Sequence, residues 1–141
     1  MAELYFRENP VAIDYTDLDD IKKHSKPLAS FDDLSEALSG LQKAFDEELK
    51  SRNDIIVNAF PDIDGVVELS VFHQVKRKLF SKKLKSQRFV MCATLLSELF
   101  ILKTTSFEEV RGIFQNFVEH QKAPSTFGWG NVKLNIDFEQ L

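Results

Sequence analysis

The sequence predicts a mainly α chain, a compact bundle of about four or five helices with short extended segments at the N- and C-termini. An α+β fold with a small terminal sheet is the alternative. Three observations carry the helical reading. Apolar residues recur at three- and four-residue steps from Leu34 to Leu49, from Val67 to Leu79 and from Phe107 to Val118. Ser106 and Glu109 form a capping box ahead of the last run. The stretch from Phe89 to Lys103 is apolar almost all round, as a central buried helix would be.

From the N-terminus onward, Leu4, Phe6, Val11, Ile13 and Tyr15 alternate with polar residues around Asn9-Pro10, which suits short extended pieces. Thr16 followed by Asp19 reads as a cap for a short helix ending before Lys26-Pro27. Ser30 caps the next helix, Asp32 and Asp33 fall in its first turn where the helix dipole favours acids, and Leu34, Leu38, Leu41, Phe45 and Leu49 form its stripe. That stripe either runs on through Ile56 to Phe60, or Asn53-Asp54 breaks it and Ile55-Ile56-Val57 begins a new element. The turn Phe60-Pro61-Asp62-Ile63-Asp64-Gly65 has β-branched flanks that permit a hairpin, but the steps of four through Val67, Val71, Val75 and Leu79 favour a helix from Val66 to Phe80. The pattern loosens over Ser81 to Ser86, and Lys122-Ala123-Pro124 closes the final helix. Val132 to Phe138 alternates strictly, as a half-buried strand does, and its backbone groups need a partner: the N-terminal extended piece, a second copy, another protein's sheet edge, or a helical groove anchored by Trp129 and Phe138. The expected organisation is therefore a helical domain over 1–124 and an extended segment over 125–141 that packs on the domain or on a partner.

With 141 residues, 43% hydrophobic content and 28% charged residues, the composition is that of one folded domain and excludes a disordered or collagenous chain. No window approaches the ~18 apolar residues of a membrane span, and the first residues, Ala2-Glu3-Leu4-Tyr5-Phe6-Arg7-Glu8, are acidic where a secretory signal is basic. One cysteine, Cys92, leaves no intramolecular disulfide. An intracellular location, cytoplasmic or nuclear, is the expectation.

Charge is placed unevenly. Residues 1–75 carry seven Lys or Arg against sixteen Asp or Glu, residues 76–88 carry seven against none, and residues 89–141 carry four against six. The middle zone, Lys76-Arg77-Lys78-Leu79-Phe80-Ser81-Lys82-Lys83-Leu84-Lys85-Ser86-Gln87-Arg88, is a local positive field with apolar residues interleaved. It reads as a helix C-terminus with cations near its last carbonyls, as an anion-binding patch, or as a docking patch for acidic surface. On one continuous helix the seven cations spread round the axis, which counts against their reading one groove.

Chemistry-bearing patterns are few. His24, His73 and His120 are far apart, with no second histidine at the spacing that puts two ligands on one helical face, and His73 is expected to face solvent. Cys92 is expected to be a buried, inert thiol, Arg88 being the only nearby group that would activate it. Taking Gly65 as the sixth position of a calcium loop puts Phe60 and Val71 where carboxylates are needed. Phosphate-loop, dinucleotide and nucleophile-elbow signatures are absent. No enzyme, metal or cofactor is expected. From Arg88 to Val118, the order of a basic connection, the run Leu95-Leu96-Ser97-Glu98-Leu99-Phe100-Ile101-Leu102-Lys103 and a second helix after Thr104-Thr105 resembles a helical hairpin of the HEAT-type middle domain of translation initiation factor 4G. That resemblance implies a helical adaptor.

The function expected is thus a non-enzymatic helical adaptor or scaffold that binds a protein or itself, with an RNA- or anionic-surface-binding helical module as the alternative. The candidate partner-binding residues are Lys76, Arg77, Lys78, Lys82, Lys83, Lys85 and Arg88 in the basic run, and Trp129, Val132, Leu134, Ile136 and Phe138 in the C-terminal segment.

Overall fold

The computed structural model describes residues 2–8, 17–48, 55–81 and 83–132. Their order is β1 (Glu3–Glu8), α1 (Leu18–Lys23), β2 (Lys26–Pro27), α2 (Asp32–Asp46), β3 (Ile55–Ile63), β4 (Val66–Arg77), β5 (Leu84–Leu95), β6 (Glu98–Thr104), α3 (Phe107–His120) and β7 (Gly130–Val132). The seven strands form one sheet in the order β2-β1-β3-β4-β5-β6-β7, every neighbouring pair antiparallel. The helical bundle is therefore overturned: the chain is sheet-dominated, with three helices among the described residues.

The helices that do form have local causes. In α1, Asp17 is the cap, its carboxylate accepting from the Asp19 and Asp20 amides. Asp33, in the first turn of α2, accepts from the Ala29 and Ser30 amides at 2.9 and 3.0 Å. In α3, Ser106 Oγ accepts from the Glu109 amide, and Gln121 ends the helix in the left-handed region at φ 51°. The stripes Leu34, Leu38, Leu41 and Val110, Phe114, Phe117, Val118 are buried against one face of the sheet, with α2 over β4 and α3 over β5 and β6.

Two segments expected as helices are strands. From Val66 to Arg77 the four-residue steps are also even steps, so Leu69, Val71 and His73 share the helix-covered face of β4 while Glu68, Ser70 and Phe72 point to the other. Asp64 and Gly65 turn β3 into β4 with φ of 45° and 82°, the paired positive values of a two-residue hairpin. From Phe89 to Lys103 the chain is the β5–β6 hairpin, folded at Leu96-Ser97, and the helical-hairpin resemblance falls with it. Phe89, Met91 and Ala93 belong to the main core, and Val90 and Cys92 to a second cluster with Leu99 and Ile101 on the opposite face. A strand buried on both faces is apolar at every position, which imitates a buried helix. The Leu96 amide donates to the Gly65 carbonyl at 2.8 Å, so the two turns at this end of the sheet are docked.

His73 is fully buried, contrary to the solvent-facing expectation, because its strand turns it inward between Phe45 of α2 and Phe89 of β5. Its Nε2 donates to Gln87 Oε1 at 2.9 Å. Cys92 is buried, as expected of an inert thiol.

The turn geometry yields a first prediction. An alanine Cβ at Gly65 would press on the Leu95 and Leu96 side chains at 3.3 Å in a conformation that favours glycine, so Gly65→Ala is expected to cost about 1–2 kcal/mol in urea unfolding.

Candidate functional site

The basic run forms a two-stranded arm. Among the described residues β3 begins at Ile55, opposite Val71, and β6 ends at Thr104, opposite Phe89. Beyond those points, among the described residues, β4 and β5 pair only with each other, through Gln74↔Arg88, Val75↔Gln87, Lys76↔Ser86 and Arg77↔Leu84. The register shift between the last two pairs leaves Lys85 as a bulge residue, which twists the arm near its end. The Lys78 amide donates to the Lys83 carbonyl at 2.8 Å and closes the apex. At ~3.3 Å per residue, the paired stretch from Gln74 to Arg77 extends roughly 10 Å, with the turn beyond it.

The cations of the arm have two roles. Arg77 Nη2 donates at 2.6 Å to the carbonyl of Glu48, just past the end of α2, so this side chain ties the arm to the body. Arg88 Nε donates at 2.7 Å to Gln74 Oε1, a cross-strand contact on the face away from α2. Lys76, Lys78, Lys83 and Lys85 are exposed, and no acid of the described residues pairs with them. No Asp or Glu occurs between Glu68 and Glu98. At the apex, Leu79 is 81% and Phe80 97% exposed, and Phe80 has φ of 72°, where a bulky side chain is unfavourable. Lys82 lies outside the described residues.

The rest of the expected partner-binding set does not join this arm. Trp129 is half-buried and packs against the main core. Val132 ends β7, opposite Leu99 of β6, and packs on the second apolar cluster. The described part of the C-terminal segment thus pairs within its own chain, on an edge two strands from the arm. Leu134, Ile136 and Phe138 lie outside the described residues, as do Thr16, Leu49 and Asn53-Asp54.

Two features escaped the sequence reading. A groove of about 700 Å³ runs between α3 and the segment leading to β7, lined by Leu102, Ile113, His120, Pro124, Phe127 and Trp129. Across the sheet's other face, Arg7, only 3% exposed, donates from Nη1 to Asn58 Oδ1. Asn58 Nδ2 in turn donates to Glu68 Oε2 at 3.2 Å, and Arg7 Nη2 lies 3.8 Å from the same oxygen. Strand alternation with buried Leu4 and Phe6 on the opposite face is the signal that places Arg7 there. Burial pushes the Glu68 carboxyl above its ordinary value, against the opposing pull of the Asn58 amide and the Arg7 guanidinium. This network links β1, β3 and β4 through side chains on the face away from the helices. Asp20 and His24, 3.4 Å apart across one turn of α1, are a partly exposed surface pair. Among the described residues no group of His, Cys, Asp and Glu could hold a metal ion, and no helix is long and apolar enough to cross a membrane.

No protein-family model, curated protein or solved structure matches this chain.

Glu68 sets a pH-dependent prediction. A carboxyl whose folded value is raised holds its proton more tightly in the folded chain, so its contribution is fully present below pH 4.5 and is lost as pH rises through the raised value. The stability of Glu68→Gln relative to wild type is expected to rise across that interval, read by urea unfolding at stepped pH; a pH-independent difference would show that Glu68 is not so perturbed.

Proposed function

We propose that this chain is a non-catalytic binding module that engages an anionic surface through the β4–β5 arm. The observation that carries the reading is the apex itself: two large apolar side chains in solvent, flanked by lysines that have no acidic partner among the described residues. A cation that only complements a helix end or neutralises a neighbouring carboxylate would be paired within the fold; among the described residues Lys76, Lys78, Lys83 and Lys85 have no acidic partner. The objection that seven cations on a helix cannot converge does not apply to a hairpin, whose two strands bring the ends of the run side by side. Net charge of −4 does not oppose the arm either. Its reach exceeds the Debye length of about 8 Å at physiological ionic strength, so the tip field is screened from the acidic body.

The protein-adaptor reading through strand addition has less support, because β7 is three residues long and already pairs with β6. An arm whose cations work together should show steep salt dependence. The test is anisotropy of a fluorescent heparin oligosaccharide, titrated at low and at physiological salt. Wild type is expected to bind at low salt and weaken as salt rises. The combined reversal Lys78→Glu, Lys83→Glu and Lys85→Glu is expected to lose affinity at least about tenfold, at about 1 kcal/mol per lysine near an anionic surface. Lys23→Glu, on α1, should change little. Equal binding by wild type and the arm variant would overturn the reading.

A further inference from the structure

Resting on that reading, we infer that the anionic surface is a phospholipid headgroup layer, into which Leu79 and Phe80 insert while the lysines contact phosphates. Folding gives no reason for the apex residues. Leu79 and Phe80 are nearly fully exposed and belong to neither apolar cluster. Phe80 moreover occupies a positive-φ position that Asn or Gly adopts at lower cost. A side chain that neither packs nor suits its backbone is explained when it is buried elsewhere.

The layering of the arm matches that of an anionic bilayer leaflet. Lys78 and Lys83 close the apex, Lys76 and Lys85 stand behind them, and the apolar pair projects one or two residues beyond. That turn places the apolar pair at the tip and the cations behind it, the order in which hydrocarbon and headgroup phosphates follow one another in a leaflet. Insertion is necessarily shallow, because apex backbone groups cannot be left unpaired in hydrocarbon. One apolar tip anchors weakly, so electrostatic attraction to anionic lipid is required as a second signal and attachment is reversible.

Single-stranded nucleic acid fits less well. Stacking needs aromatic faces along a groove. The arm's face away from α2 carries Gln74, Lys76, Ser86 and Arg88, with no ring among them, and Leu79 has no π-face.

The test uses the intact protein in co-sedimentation with phosphatidylcholine vesicles and with the same vesicles doped with phosphatidylserine, at physiological salt. Wild type is expected to pellet with the doped vesicles only. Phe80→Asn is expected to reduce that partition by at least about tenfold, while its thermal midpoint equals or exceeds that of wild type and its heparin affinity is unchanged. The inference is overturned if Phe80→Asn pellets as wild type does. It is also overturned if wild type binds heparin or a single-stranded RNA but not the doped vesicles, which leaves the anionic-surface reading standing. Failure to bind any of these probes overturns both.

Discussion

Burial of β5 on both faces is the constraint on which the rest of the molecule depends. Phe89, Val90, Met91, Cys92 and Ala93 are all inside, three in the main core beneath α2 and α3 and two in the second cluster. A strand apolar on both sides does not by hydrophobicity alone choose which face meets the helices. Size and polar contacts make that choice. The larger Phe89 and Met91 fill the helix-covered side, while His73 with Gln87 and Gln74 with Arg88 link β4 and β5 in one register. A slip of one residue would bring Cys92 to the helices and separate both polar pairs.

That register also gives the sheet two different ends. At one, the Asp64-Gly65 and Leu96-Ser97 turns are joined by the Leu96 amide on the Gly65 carbonyl. At the other, β4 and β5 outrun their described neighbours, and the last tie to the body is Arg77 on the Glu48 carbonyl. Side chains past that tie are outside the core's influence, so Leu79 and Phe80 contribute nothing to packing and the lysines keep their field. The pairing that completes the core is the same pairing that presents the arm.

The parts of the fold legible in the sequence are those with local causes. The Ser106 cap, first-turn acids and 3.6-residue stripes marked α2 and α3, and alternation marked β1, but α2 begins after Phe31 without the side-chain cap expected from Ser30 and ends at Asp46, short of the expected stripe. β4 was illegible because Val67, Val71 and Val75 are four apart, a spacing shared by a helix stripe and a strand face; the Asp64-Gly65 turn and the β-branched flanks were the better guide. β5 and β6 were illegible because both-sided burial erases alternation, and because Leu96-Ser97 turns without Gly, Pro or Asn. For the site, the charge count located the arm at Lys76–Arg88. The roles within it were beyond reach, because setting Arg77 and Arg88 apart from the exposed lysines requires Glu48 and Gln74 in space.

Amide hydrogen exchange of the intact protein, alone and with phosphatidylserine-containing vesicles, tests this division between core and arm most directly. Amides from Phe89 to Ala93 should exchange slowest, those from Leu79 to Ser81 fastest, and vesicles should add protection at the apex alone. Slow exchange at the apex of the free protein, or added protection along β7 or α3 instead of the arm, would contradict it.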